Sequence, residues 1–170
     1  ARLASGAPGP GYWQQRADMD IQVTLDASSH RLEGKERVTY HNNSPHTLTY
    51  LWMQLDQNRF RSESIGNSSN PTDMDAEESI GWLRRLAFEE EFVGGFNILS
   101  VRDRTGEKLD HVIVDTMMRI DLPTPLKSGE ILEYLVEWNH SIVNADLLRA
   151  RGGYEWFEDA GNAIYEIAQW

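Results

Sequence analysis

An all-β fold, an antiparallel β-sandwich with at most one short helix, is what the 170-residue sequence predicts. Three observations predict it. Short runs alternate apolar and polar residues with the period of two that a half-buried strand requires. Clusters of Gly, Pro, Asn, Asp and Ser separate these runs at short intervals. Helix-like spacing is confined to one stretch. The result is seven or eight strands, a pattern that fits a sandwich or an open barrel.

Taken in order, "ARLASGAPGPG" (1–11) is small and Gly/Pro-rich, and the expectation is a flexible leader or the end of a removed segment. From Met19, the residues Ile21, Val23 and Leu25 point one way and Gln22 and Thr24 the other, predicting a half-buried first strand. "KERVTYHNN" follows, with Val38 and Tyr40 sharing a face, and "NNSP" closes it as a turn. In "TLTYLWMQLDQN", Leu48, Tyr50, Trp52 and Gln54 oppose Leu51, Met53 and Leu55, which predicts a strand covered on both sides. Residues 61–81 are polar and predict a surface excursion. Ile80, Leu83, Leu86 and Ala87 then have the spacing of a short helix beginning near Asp75. "FNILSVRD", "LDHVIVD", "TMMRIDLP" and "ILEYLVEWNH" supply the remaining strands, with "RTGEK" and "TPLKSGE" as turns. The sandwich is expected over 12–140, and 141–170 is expected to be an irregular, aromatic-rich tail.

Composition narrows the function classes. Acidic residues outnumber basic ones 27 to 16, for a formal charge of −11, which argues against a nucleic-acid backbone or an anionic membrane as partner. No stretch reaches the eighteen or so apolar residues of a membrane span. Cysteine is absent, so no disulfide framework or thiolate site is expected.

Candidate chemical groups are few. The five histidines, His30, His41, His46, His111 and His140, lack the spacing of a helical zinc dyad. His41 and His46 flank the turn "NNSP", where they could share a metal or stand as surface side chains. "DMDAEE" (73–78) alternates acids as a calcium loop does, but its sixth and twelfth positions are Glu78 and Arg84 rather than Gly and Glu. An acidic first turn of a helix is the simpler expectation there. Paired carboxylates such as Glu155 with Glu158 and Asp159 could serve a self-contained hydrolase as acid and base, though 27 acids produce such pairs by chance. Tyr154, Trp156, Phe157, Tyr165 and Trp170 concentrate aromatics in the tail, either packed on the sandwich or given to an interface.

The strings "YWQQRADMDIQVTLDASSHRLEGKERVTYHNNSPHTLTYLWMQLDQN", "DTMMRIDLPTPLKSGE" and "YEIAQW" resemble the N-terminal domain of the aminopeptidase N family of zinc metallopeptidases, in a bacterial branch. The resemblance runs from Tyr12 to Trp170 and contains no catalytic motif. It implies a saddle-like β-domain packed on a catalytic domain that follows it, and zinc is expected there rather than in this chain. The implied role is non-catalytic: to brace that domain and help position the peptide N-terminus. Gln169 is the residue that resembles the family's reader of the substrate's α-amino group, since an amide oxygen can accept from an ammonium. Catalytic and metal residues are expected to be none. The implied partners are the catalytic domain, the peptide substrate, and, through the tail, a second copy of the chain. The compartment expected from the branch is the bacterial periplasm or the exterior. A free-standing sandwich module for protein or carbohydrate is the alternative from a different class.

Overall fold

The computed structural model describes residues 2–68, 80–81, 87–88, 91–148 and 150–167. Nine strands are found among the described residues: β1 Arg16–Asp26, β2 Arg31–His41, β3 Leu48–Gln54, β4 Asn97–Asp103, β5 His111–Val114, β6 Met117–Leu126, β7 Ile131–Ser141, β8 Gly153–Phe157 and β9 Asn162–Glu166. A 3-10 turn at Asp56–Phe60 and a single α-turn at Ile65–Ser68 follow β3. Of the helix expected near Asp75, positions 80–81, 87–88 and 91 are described and are helical; its start and the acidic run "DMDAEE" lie outside the described residues.

The strands form an antiparallel four-stranded sheet in the order β1-β2-β7-β4, a three-stranded sheet β3-β6-β5, and the hairpin β8-β9. The all-β sandwich expected from the alternation is therefore the observed architecture. Alternation on β2 and β7 sends Leu32, Glu36, Val38, Tyr134, Val136 and Trp138 into the space between the sheets. Leu51 of β3 and Met118, Ile120 and Leu122 of β6 meet them from the other side. Burial of the apolar side chains among these contributes about 1.5–3 kcal/mol each and is the main term holding the two layers together.

Local chemistry explains the joins. Asn42, fully buried at the turn after β2, donates from Nδ2 to the carbonyls of His46 (2.8 Å) and Leu126 (3.0 Å). Its Oδ1 accepts from Ser44 Oγ (2.7 Å) and Gln15 Nε2 (3.1 Å), so one amide ties the turn to β6 and to the chain entering β1. The "RTGEK" turn forms as expected, with Gly106 in the left-handed region at φ 91°. It does not pair β4 with β5, however. β4 pairs with β7 and β5 with β6, so the chain changes sheets at this point.

Three expectations are corrected. β1 is not half-buried: all eleven of its residues are exposed, Met19, Ile21, Val23 and Leu25 included. The reason is topological, because β1 is an edge strand paired only with β2 and the smaller sheet does not extend over it. β3 is not covered on both sides either, since Tyr50 and Trp52 stand exposed on the outer face of the small sheet. There Arg119 crosses the Tyr50 ring at 4.4 Å while pairing with Asp121 at 2.7 Å. Finally, 153–166 is a regular hairpin rather than an irregular tail. Its signal was masked by its length of five residues per strand and by the mixed polarity of "YEWFEDAGNAIYE".

Candidate binding cleft

Between β1 and β3 the sandwich opens into a cleft of about 320 Å³. Its floor is built from β2 and β7, its roof from β3, and its mouth lies between Ala17 and Met19 on one side and Trp52, Gln54 and Asp56 on the other. The walls are apolar and aromatic: Tyr40, Phe96, Tyr134 and Trp138 line it together with Val38, Val136, Leu51 and Met53. Phe96 and Trp138 meet edge to face, with centroids 5.3 Å apart at 82°.

Glu36 lines this cleft. It is 0% exposed, and neither carboxylate oxygen has a hydrogen-bond partner among the described residues. Register explains the placement. Residues 32, 34, 36, 38 and 40 of β2 share the inner face, and Glu36 stands between Ile21 of β1 and Val136 of β7. Burial alone pushes its carboxyl up from 4.5 to about 7. The neighbouring Tyr134 hydroxyl is held far above its usual range, first by burial and then by the Glu36 charge and by Tyr40. A carboxylate in such surroundings lacks the donors that normally offset its desolvation.

Gly34, two residues earlier, accommodates the Trp138 ring. A Cβ at position 34 would fall 2.2 Å from Trp138 Cζ2, so only a glycine allows the ring to lie across β2. This contact sets the floor of the cleft, because it fixes the indole beside Glu36's neighbours on β7.

A second polar cluster docks the β8-β9 hairpin. His30, in the left-handed region at φ 49°, stacks on Tyr154 with centroids 3.8 Å apart and planes 2° from parallel. Tyr165 donates its hydroxyl proton to the Ala27 carbonyl (3.2 Å), which leaves its oxygen to accept from His30 Nδ1–H at 2.7 Å. The hairpin's first strand is held further by the Tyr154 N–H donating to the Val143 carbonyl at 2.9 Å.

The other candidates separate. His41 Nε2 lies 3.0 Å from Asp18, so that imidazole has its own local partner, while His46 is tied into the turn through its backbone carbonyl, which accepts from Asn42. His111 donates from Nδ1 to the Leu109 carbonyl and His140, buried beside Phe96 and Trp138, from Nδ1 to the Ser141 carbonyl. Burial lowers the pKa of His140, which favours its neutral form. Among the described residues, no group of three or more metal-ligating side chains is close enough to hold an ion. Glu155, in the middle of β8, and Glu158 and Asp159, just beyond its end, are all exposed. Gln169 lies outside the described residues, and Glu166 closes β9 three positions before it. Glu36 was not among the sequence candidates, although its signal was there. Counting back by two from Tyr40 and Val38 puts a carboxylate in the apolar register of the strand.

No family model matches this sequence, and no curated protein matches it either. Among solved structures, an M1 zinc metallopeptidase from Deinococcus radiodurans is similar, at 13% identity over 82% of this chain and 24% of that one, with a TM-score of 0.46. A mutant of it bound to Tyr-Ser-Ala gives the same coverage and a TM-score of 0.47. A two-domain M1 zinc metallopeptidase mutant bound to L-tryptophan is 13% identical over 87% of this chain and 26% of that one, with a TM-score of 0.48. The chain thus spans about a quarter of the length of the structures it matches.

Proposed function

We propose that this chain is a non-catalytic β-sandwich domain of a zinc aminopeptidase-like metallopeptidase, one that braces a catalytic domain and helps to position the peptide N-terminus. The sequence strings between Tyr12 and Trp170 support this reading. The observation that carries it is the uncovered inner face of β1, where Met19, Ile21, Val23 and Leu25 form an exposed apolar stripe along an eleven-residue edge strand. Long apolar edges are normally covered, because their free backbone groups and side chains otherwise recruit other chains. A following domain would supply that cover. In the intact protein Gln169 would accept from the substrate's ammonium, and hydrolysis would use water activated by a zinc ion held outside this chain.

Hydrogen exchange tests the bracing role, comparing the 170-residue chain with a protein extended through the residues its gene encodes next. Slowed exchange in β1 of the longer protein is the expected result; equal exchange in both would remove the role. The isolated chain is further expected to cleave no aminoacyl reporter, and one bound zinc per chain with turnover would overturn the reading. The exposed Tyr50 and Trp52 favour the alternative, a free-standing recognition module, which a gene ending at Trp170 would support.

A further inference from the structure

We propose that the cleft between β1 and β3 is a binding site for an amphipathic organic cation, a primary or secondary amine on an apolar or aromatic body, whose N–H groups pair with Glu36. The carboxylate demands donors and the described residues provide none. An ammonium supplies both what is lacking, N–H groups and positive charge. The lining itself selects the sign of the ligand. Among the described residues no Lys, Arg or His lines the cleft, and the charged groups there are two acids, Glu36 on the floor and Asp56 at the mouth. The aromatic side chains around them, Tyr40, Tyr134 and Trp138, are of the kind whose ring faces attract cations within about 6 Å.

Size and field agree with this class. A volume of about 320 Å³ stands at the lower end of small-ligand sites, roughly 300–1,000 Å³. The chain's formal charge of −11 draws cations and repels anions on approach. Ordered water is the competing occupant, since this volume would hold about ten molecules at roughly 30 Å³ each. Water would satisfy the carboxylate, but would leave apolar and aromatic walls wetted.

Calorimetric titration of the 170-residue chain with 2-phenylethylamine, 2-phenylethanol and phenylacetate separates the possibilities. The amine is expected to bind saturably at one per chain, the alcohol at least tenfold more weakly, and the anion not at all. Glu36→Gln should weaken the amine at least tenfold. Ala17→Trp, which narrows the mouth from an exposed position and keeps Glu36, should do the same. Equal binding of amine and alcohol would reduce the site to a generic apolar cleft and overturn the proposal. Absence of saturable amine binding, or unchanged amine affinity in Glu36→Gln, would overturn it too, the latter assigning the carboxylate to a proton or to water. If Glu36→Gln does not fold, Ala17→Trp decides alone: retained amine binding refutes the cleft as the site.

Discussion

Replacing Glu36 with glutamine should remove a pH dependence from the stability of this fold. In the folded chain burial raises the carboxyl from 4.5 to about 7. Between those values the native protein keeps a proton that the unfolded chain has released, so stability is fully present below pH 4.5 and is lost as pH rises through about 7. The whole displacement is worth about 3 kcal/mol at 1.36 kcal/mol per pH unit. Because the chain's pI is near 4.8, the practical window begins above it. From pH 5.5 to 8.5 the expected loss is about 2 kcal/mol. The groups facing Glu36 do not interfere: Tyr40 and Tyr134 are both shifted upward by burial, away from this window. Asp56 at the mouth and His140 on β7 occur in both proteins and cancel on subtraction. The assay is urea unfolding followed by tryptophan fluorescence at four pH values in that range. The stability advantage of Glu36→Gln over the parent should grow by about 2 kcal/mol from the lowest pH to the highest. An advantage constant to within about 0.5 kcal/mol would show that Glu36 is satisfied in the native state and that the argument from burial is wrong.

Two further outcomes follow from contacts on either side of the cleft. Gly34→Ala places a methyl group within 2.2 Å of the Trp138 ring, and since that ring is 2% exposed it has little room to move. A loss of about 1–3 kcal/mol is expected from such overpacking, measurable as a lower urea midpoint; a stability equal to the parent's would mean that the indole shifts freely. Tyr165→Phe removes the hydroxyl bridging His30 and the Ala27 carbonyl, at about 0.5–1.5 kcal/mol for a net hydrogen bond. Its signature should be local, with faster amide exchange in β8 and β9 and little change in β2 and β7; uniform acceleration would argue that the hairpin unfolds with the whole domain.

Legibility followed the range of the interactions involved. β2 and β7 were readable because alternation is a property of neighbours in sequence, and the same holds for the Gly106 turn. Pairing was not: nothing local to "FNILSVRD" tells it to join β7 rather than β5 across its own turn. Nor does the alternation of β1 carry the information that no layer covers it, since an apolar face is written the same way whether or not a partner arrives. Glu36 shows the reverse case. Its position in an apolar register is a property of the sequence, yet the absence of a donor arises only where β1, β3 and β7 surround it. The sequence by itself determined that the chain is all-β, which residues of its longer strands share a face, and where turns such as those at "NNSP" and Gly106 fall, because these depend on backbone periodicity and turn chemistry. Tertiary structure alone decided which faces are covered, that a carboxylate without a donor lines an aromatic cleft, and that the final hairpin clasps His30, because burial is a relation between segments distant in the chain.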